Sequence, residues 1–224
     1  MLVHQVFLPF APANLTLEQL PVYARQVEIT RQNCIKFGYQ YKMWNLEACE
    51  QLLTDDFPQY LQLWEDFEKL GLPVMRVDFI RYCIILKHGG TYIDCDVALV
   101  DRIDNFDREV WFAKWRNCKR NLPYIAVMGG KPGNKLIQEI IVESHKSFYP
   151  KAEMEIYKKW KGRFVFQTTG HYVCQRIIKR NKLKPEEILI DCLYISHQKS
   201  KRVIEYIGDK SAPFHDLNYS YWFK

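Results

Sequence analysis

Two carboxylates separated by a single residue, Asp94 and Asp96, close the most chemically suggestive stretch of this chain, Val77 to Val100. In a strand-like segment they would point to the same side, because side chains alternate. Two carboxylates so placed repel each other unless a cation or protons sit between them. That arrangement suits a hard divalent metal carrying phosphate oxygens. Upstream, Asp78 and Arg81 stand three apart and share one face of a helix. Lys87 and His88 bring basic side chains to its last turn, Gly89 can supply a left-handed cap, and Thr91-Tyr92-Ile93 has strand character.

The segment closely resembles the DXD signature of sugar-nucleotide-dependent glycosyltransferases, the group containing yeast mannosyltransferases and the large clostridial glucosylating toxins. That signature is an Asp-x-x-Arg-Tyr helix, then Gly-Gly, an aromatic and Asp-x-Asp. Here it reads Asp78, Arg81, Tyr82, Gly89, Gly90, Tyr92, Asp94 and Asp96. A bare Asp-x-Asp is common by chance; the same pair behind Arg81-Tyr82 and Gly89-Gly90 at this spacing is specific.

The resemblance extends along most of the chain. Val3-His4-Gln5-Val6 is similar to the family's opening strand, with Phe7 at the place of a tryptophan that stacks on uracil in the toxins. Tyr41 to Asn45 resembles the second-strand motif, Lys131-Pro132-Gly133 a Pro-Gly turn, and Thr169-Gly170 a Thr-Gly turn. His215 to Trp222 resembles a closing His followed by Ser-Trp or Ser-x-Trp. The chain departs from the pattern at Phe7, at Ile125, where many relatives carry Asn, and at His171, where proline usually follows Thr-Gly.

What the resemblance implies is a metal-dependent transfer of a hexose from a nucleoside diphosphate sugar, with UDP favoured, to a glycan or protein acceptor. Asp96 would hold the metal directly, and Asp94 would reach ribose, sugar or metal through water. Arg81 would act with these carboxylates, and Asp78 and Arg81 would hold sugar hydroxyls, as a charged fork and a carboxylate can. Phe7 and Gly90 would line the donor, and Ser220 and Trp222 would close over its diphosphate. Mn2+ or Mg2+ suits such ligands, with His215 as the imidazole that tilts the choice toward manganese. The relatives mostly retain anomeric configuration, so front-face attack is the leading mechanism; no residue identifies itself as an inverting base.

Around these residues the chain reads as alternating strands and helices, an α/β sandwich with its ligand site at the carboxyl ends of the strands. The expectation is one domain, residues 1–224, of glycosyltransferase-A type: a Rossmann-like mixed sheet flanked by helices. Expected strands are Leu2 to Phe7, Tyr39 to Trp44, Thr91 to Ile93, Val110 to Ala113, Tyr124 to Met128, Arg163 to Phe166 and Ile188 to Ile190. Expected helices are Pro21 to Lys36, Leu46 to Leu53 behind an Asn45 cap, Tyr60 to Leu70, the signature helix, Asn134 to about His145, and about His171 to Lys179.

At 224 residues, 48% hydrophobic and 15% aromatic, the chain can bury a substantial core and is not of disordered composition. The +6 net charge is spread without an interleaved basic-aromatic stripe, so a nucleic-acid partner is not expected. No run is long enough to span a membrane, no signal peptide is evident, and seven dispersed cysteines fit reduced thiols; together these point to the cytoplasm. Two other readings compete. A haloacid dehalogenase-type phosphatase also carries Asp-x-Asp after a strand, but wants Thr where Ala98 stands. A non-catalytic sugar-nucleotide or glycan-binding module could keep the fold.

Overall fold

The structure, a computed structural model, describes residues 1–9, 15–103, 108–115, 122–152, 161–200, 203–207 and 214–216, with side chains as far as Cys192. Strand β1 (Leu2–Val6) runs parallel to β2 (Gln40–Trp44) on one side and to β3 (Gly90–Ile93) on the other. Beyond β3 lie the antiparallel β6 (Leu122–Gly130) and β5 (Val110–Trp115), and β7 (Leu189–Ile190) adds a parallel edge to β5. The order is β2-β1-β3-β6-β5-β7, the mixed sheet expected.

A second sheet was not expected. It has the order β4 (Val97–Leu99), β10 (Phe214–Asp216), β8 (Leu193–Ser200) and β9 (Val203–Ile207). Strand β10 is antiparallel to β4 and parallel to β8, which forms a hairpin-like pair with β9. Local patterning says little about β4, because three buried residues only become a strand once a distant partner supplies the ladder.

The helices follow local signals closely. Helix α1 (Pro21–Phe37) has proline at its first position and stops at Gly38, whose φ of 75° is left-handed. Asn45 caps α2 (Leu46–Asp56) by accepting the Ala48 N–H at 2.9 Å. A short 3-10 turn, Pro58–Tyr60, leads into α3 (Leu61–Lys69). The side chain of Asn134 caps α5 (Lys135–Ala152), accepting from the N–H groups of Leu136 and Ile137.

Helix α4 (Pro73–His88) is the centre of the main core. It is buried on nearly every side from Met75 to Ile85, between the sheet and α2, α3 and α5. That explains its all-round apolar composition. Each fully buried Phe79, Ile80, Ile84 or Ile85 contributes about 1.5–3 kcal/mol through removal of apolar surface from water. Charged Asp78 and Arg81 lie in the middle of this stretch, so their cost of burial must be met by partners.

Arg163 to Phe166, expected as a strand, instead belongs to helix α6 (Lys161–Thr168). Phe164, Val165 and Thr168 are buried at helical rather than alternating spacing. The three-residue apolar run Phe164 to Phe166 was too short to separate the two periods. Helix α7 (His171–Arg180) agrees with expectation. Only Leu189–Ile190 of the strand expected to begin at Ile188 is extended, because Pro185 starts a short helix α8 (Pro185–Ile188).

The double glycine between α4 and β3 is required by close approach. Gly89 and Gly90 have φ of 65° and 86°, and a Cβ at Gly90 would stand 2.2 Å from the Leu2 carbonyl oxygen. The helix end therefore meets the first strand with backbone alone between them. Among the described residues no helix is long and apolar enough to cross a membrane. Cys34, Cys49, Cys83, Cys95 and Cys174 are buried free thiols.

Candidate functional site

The carboxylate pair sits where the chain changes sheets. Ile93 ends β3, and the Asp94 N–H still bonds to Ala126 O of β6 at 2.8 Å. The Val97 N–H then closes back on Asp94 O at 3.0 Å, so Asp94 to Val97 form a turn leading into β4. This corrects the expected strand alternation: Cys95 and Asp96 are the middle of a turn, so a period of two does not set their directions. Asp94 and Asp96 are half-buried, and Cys95 is buried with its thiol donating to Val6 O at 3.2 Å.

Asp94 is held from two sides. The Tyr92 hydroxyl donates to Oδ1 at 2.6 Å, and Nη1 of Arg81 lies 3.2 Å from the same oxygen. The Tyr92 ring lies under the Arg81 guanidinium, 4.7 Å from centroid to Cζ. Burial pushes the Asp94 carboxyl above its ordinary range, against the pull of Arg81 and Tyr92.

Arg81 is the hub of the buried polar cluster. It is 2% exposed and spends its donors on four partners. Nε donates to Val77 O at 3.2 Å and Nη1 to Ile125 O at 2.9 Å. Nη2 pairs with Asp78 at 2.8 Å, and Nη1 with Asp94. Burial opposes its charge, but Asp94, Tyr92 and Asp78 more than offset this. Ile125, one of the expected departures from the family pattern, serves Arg81 through its backbone carbonyl.

Asp78 is equally enclosed. Its Oδ2 accepts from the Thr169 hydroxyl at 3.2 Å, which ties the signature helix to the Thr-Gly turn 91 residues away. Tyr82, the next signature residue after Arg81, donates to Thr169 O at 2.8 Å and reaches the Cys174 sulfur at 3.2 Å. Burial lifts the Asp78 carboxyl to about 6 despite Arg81 and Thr169. His171, following the Thr-Gly pair, is the first residue of α7 and is buried, which lowers its imidazole to about 4.

Asp78, Arg81 and Asp94 thus form one continuous chain of ion pairs, with Asp96 two residues beyond it. Phe7 is brought close by another route: it packs half-buried with Leu17, Leu20 and Met43 on the small cluster of Tyr23, Val27 and Cys95. Gly90 lies against Leu2 and His4, so packing alone explains a glycine there. The backbone of His215, in β10, pairs with Ala98, two residues after Asp96. The His215 side chain, Ser220 and Trp222 lie outside the described residues.

Residue-type reasoning passed over His4 and Gln5. His4 Nε2 donates to Gly89 O at 3.0 Å, and its Nδ1 accepts from Trp44 Nε1 at 3.1 Å. Gln5 Nε2 donates to Asp94 O at 3.2 Å and its Oε1 accepts the Tyr41 hydroxyl at 2.9 Å. A signal was present: two adjacent polar residues in an otherwise apolar strand, both now fully buried, demand partners.

Comparison with known proteins gives this geometry a context. The family described as "Glycosyltransferase sugar-binding region containing DXD motif" matches residues 24–121. An uncharacterized glycosyltransferase of Acanthamoeba polyphaga mimivirus is 28% identical over 108 residues, 47% of this chain and 38% of that protein. Inositol phosphoceramide mannosyltransferase 2 of Schizosaccharomyces pombe is 29% identical over 122 residues, 52% of this chain and 33% of the relative. The chain therefore spans less than half the length of these curated relatives. Among solved structures, the PaToxG glycosyltransferase superposes with a TM-score of 0.53 at 12% identity, covering 80% of this chain and 68% of that one. At that identity the likeness concerns the fold, and it bears out the glycosyltransferase-A architecture.

Proposed function

We propose that this protein, whose residues 24–121 match the family described as a glycosyltransferase sugar-binding region containing a DXD motif, is a metal-dependent hexosyltransferase. Its donor is a nucleoside diphosphate sugar, with uridine the favoured base, and its acceptor is a glycan or a protein. The observation that carries the reading is the fixed Asp94: Tyr92 and Arg81 hold its carboxylate at the start of the turn that presents Asp96.

The donor set suits a hard divalent cation, because both carboxylates offer oxygen ligands at one turn. Asp96 would hold Mn2+ or Mg2+ directly, Asp94 through water, and His215 is the candidate imidazole on the strand paired with β4. Bound there, such an ion offsets the charge that develops on the departing diphosphate. The residues of the chain do the rest. Arg81 favours the charged form of Asp94 against its burial and orients it. Asp78 and Arg81, expected to hold sugar hydroxyls, are buried among protein partners and would act on the donor through Asp94, and Phe7 offers an aromatic face beside the apolar cluster for the base. Ser220 and Trp222 would cover the diphosphate. Transfer with retention follows if a donor phosphate oxygen takes the acceptor proton on the face the leaving group vacates.

Calorimetry with UDP, with and without Mn2+, tests the reading. Binding that requires the metal supports it, and equal affinity after chelation counts against it.

A further inference from the structure

We infer that Gln5, 89 residues before Asp94, is a positioning residue for the carboxylate pair, acting through the Asp94 backbone; the inference rests on the donor-site reading above. Gln5 lies in β1 and is fully buried. A buried primary amide is costly unless both of its ends are satisfied. Here both ends are satisfied, and the chemistry of the partners fixes which way round.

The Asp94 carbonyl oxygen can only accept, so Gln5 must present Nε2 to it, at 3.2 Å. That leaves Oε1 for Tyr41, whose hydroxyl donates at 2.9 Å. The same carbonyl oxygen accepts the Val97 N–H that closes the turn, so both of its lone pairs are engaged. On its other side the Asp94 N–H is fixed by Ala126 O. The peptide groups flanking Asp94 are therefore set by β1 and β6 together, through Gln5 and Ala126.

The consequence for the site falls on Asp96. Tyr92 and Arg81 orient the Asp94 carboxylate directly. The direction in which the chain leaves β3, and so where Asp96 is delivered, depends on the tilt of the Asp94–Cys95 peptide. Gln5 holds that tilt, and Tyr41 holds Gln5.

The test uses Gln5→Leu, close in size but unable to make either bond, and Tyr41→Phe, which removes only the hydroxyl. Mn2+ alone is titrated by electron paramagnetic resonance, UDP with Mn2+ by calorimetry, and each protein is melted. Leu53→Ala, on the buried face of α2 in the main core and remote from the turn in sequence, is the stability control. We expect Mn2+ and UDP–Mn2+ affinity to fall about 10-fold in Gln5→Leu and about 3-fold in Tyr41→Phe. Leu53→Ala should lower the melting temperature while leaving both affinities unchanged. Unchanged affinity in Tyr41→Phe and in folded Gln5→Leu overturns the positioning role, as does an equal loss in Leu53→Ala. If Gln5→Leu does not fold, Tyr41→Phe alone decides. Should the wild type bind neither Mn2+ nor UDP–Mn2+, the donor-site reading itself fails, and this inference with it.

Discussion

The indole Nε1 of Trp44 donates to Nδ1 of His4 across 3.1 Å, tying the second strand to the first through a fully buried imidazole. Since Nδ1 accepts, the proton sits on Nε2, which donates to the Gly89 carbonyl at the end of the signature helix. One neutral histidine therefore joins two strands and the helix that carries Arg81.

That neutrality makes a pH prediction. Burial, aided by nearby His88 and Lys42, lowers the His4 imidazole to about 4, against an ordinary value of 6.5. The unfolded chain binds this proton first as pH falls. His4 therefore contributes stability that is complete above pH 6.5 and lost between about 6.5 and 4, on the order of 3 kcal/mol. Asp78, raised to about 6, acts with the opposite sign over much of that window and His171, lowered to about 4, with the same sign, so the bulk melting curve mixes all three. The His4 resonance by NMR should keep its neutral shift to near pH 4. The stability gap between wild type and His4→Gln should narrow on acidification; titration of His4 near 6.5 would refute the assignment.

Asp96→Asn keeps size and removes the charge that balances metal and diphosphate. Transfer or donor hydrolysis should fall by roughly 100-fold or more, on the order of 3 kcal/mol in the barrier. The melting temperature of the ligand-free protein should change little, because Asp96 is only half-buried. Near-normal turnover in the folded variant would remove Asp96 from the reaction.

Tyr92→Phe deletes the one hydroxyl that holds Asp94 Oδ1 at 2.6 Å while keeping the ring against Arg81. A hydrogen bond to a charged group is worth about 1.5–3 kcal/mol. Donor affinity in the presence of Mn2+ should fall roughly 10-fold with the fold intact, as circular dichroism would confirm. An unaltered affinity would show that Arg81 alone suffices to orient Asp94.

Gly90→Ala places a Cβ 2.2 Å from the Leu2 carbonyl oxygen at a φ of 86°. Strain and clash together should cost about 3 kcal/mol or more, visible as a lower urea midpoint. By contrast, Gly133→Ala meets no atom within 4 Å and retains only the strain of its φ of 72°, so it should cost less.

Much of this molecule was legible in its sequence where the cause is local. Asn45, Gly38 and Pro21 announce helix ends because a cap or a left-handed residue acts on its immediate neighbours. The pairing of Asp78 with Arg81 follows from helical spacing, and the structure adds that the pair is buried in the core. What escaped was non-local. The short strand β4 exists only by pairing with β10, more than a hundred residues later. The roles of Gln5 and Thr169 depend on bonds that span 89 and 91 residues. The four residues Arg163 to Phe166 carried too little pattern to tell helix from strand.

Asp94 and Asp96 belong to different bodies of secondary structure. Asp94 is laced into the first sheet through Ala126 and Gln5 and to helix α4 through Arg81, whereas Asp96 leads straight into the edge strand of the second sheet. Their spacing is thus not a property of one rigid strand but of how two sheets meet. A ligand that engages both carboxylates is a clasp across that seam, and its binding energy is also adhesion between the sheets. Substitutions in the distant β10 can accordingly retune the carboxylates without touching either one.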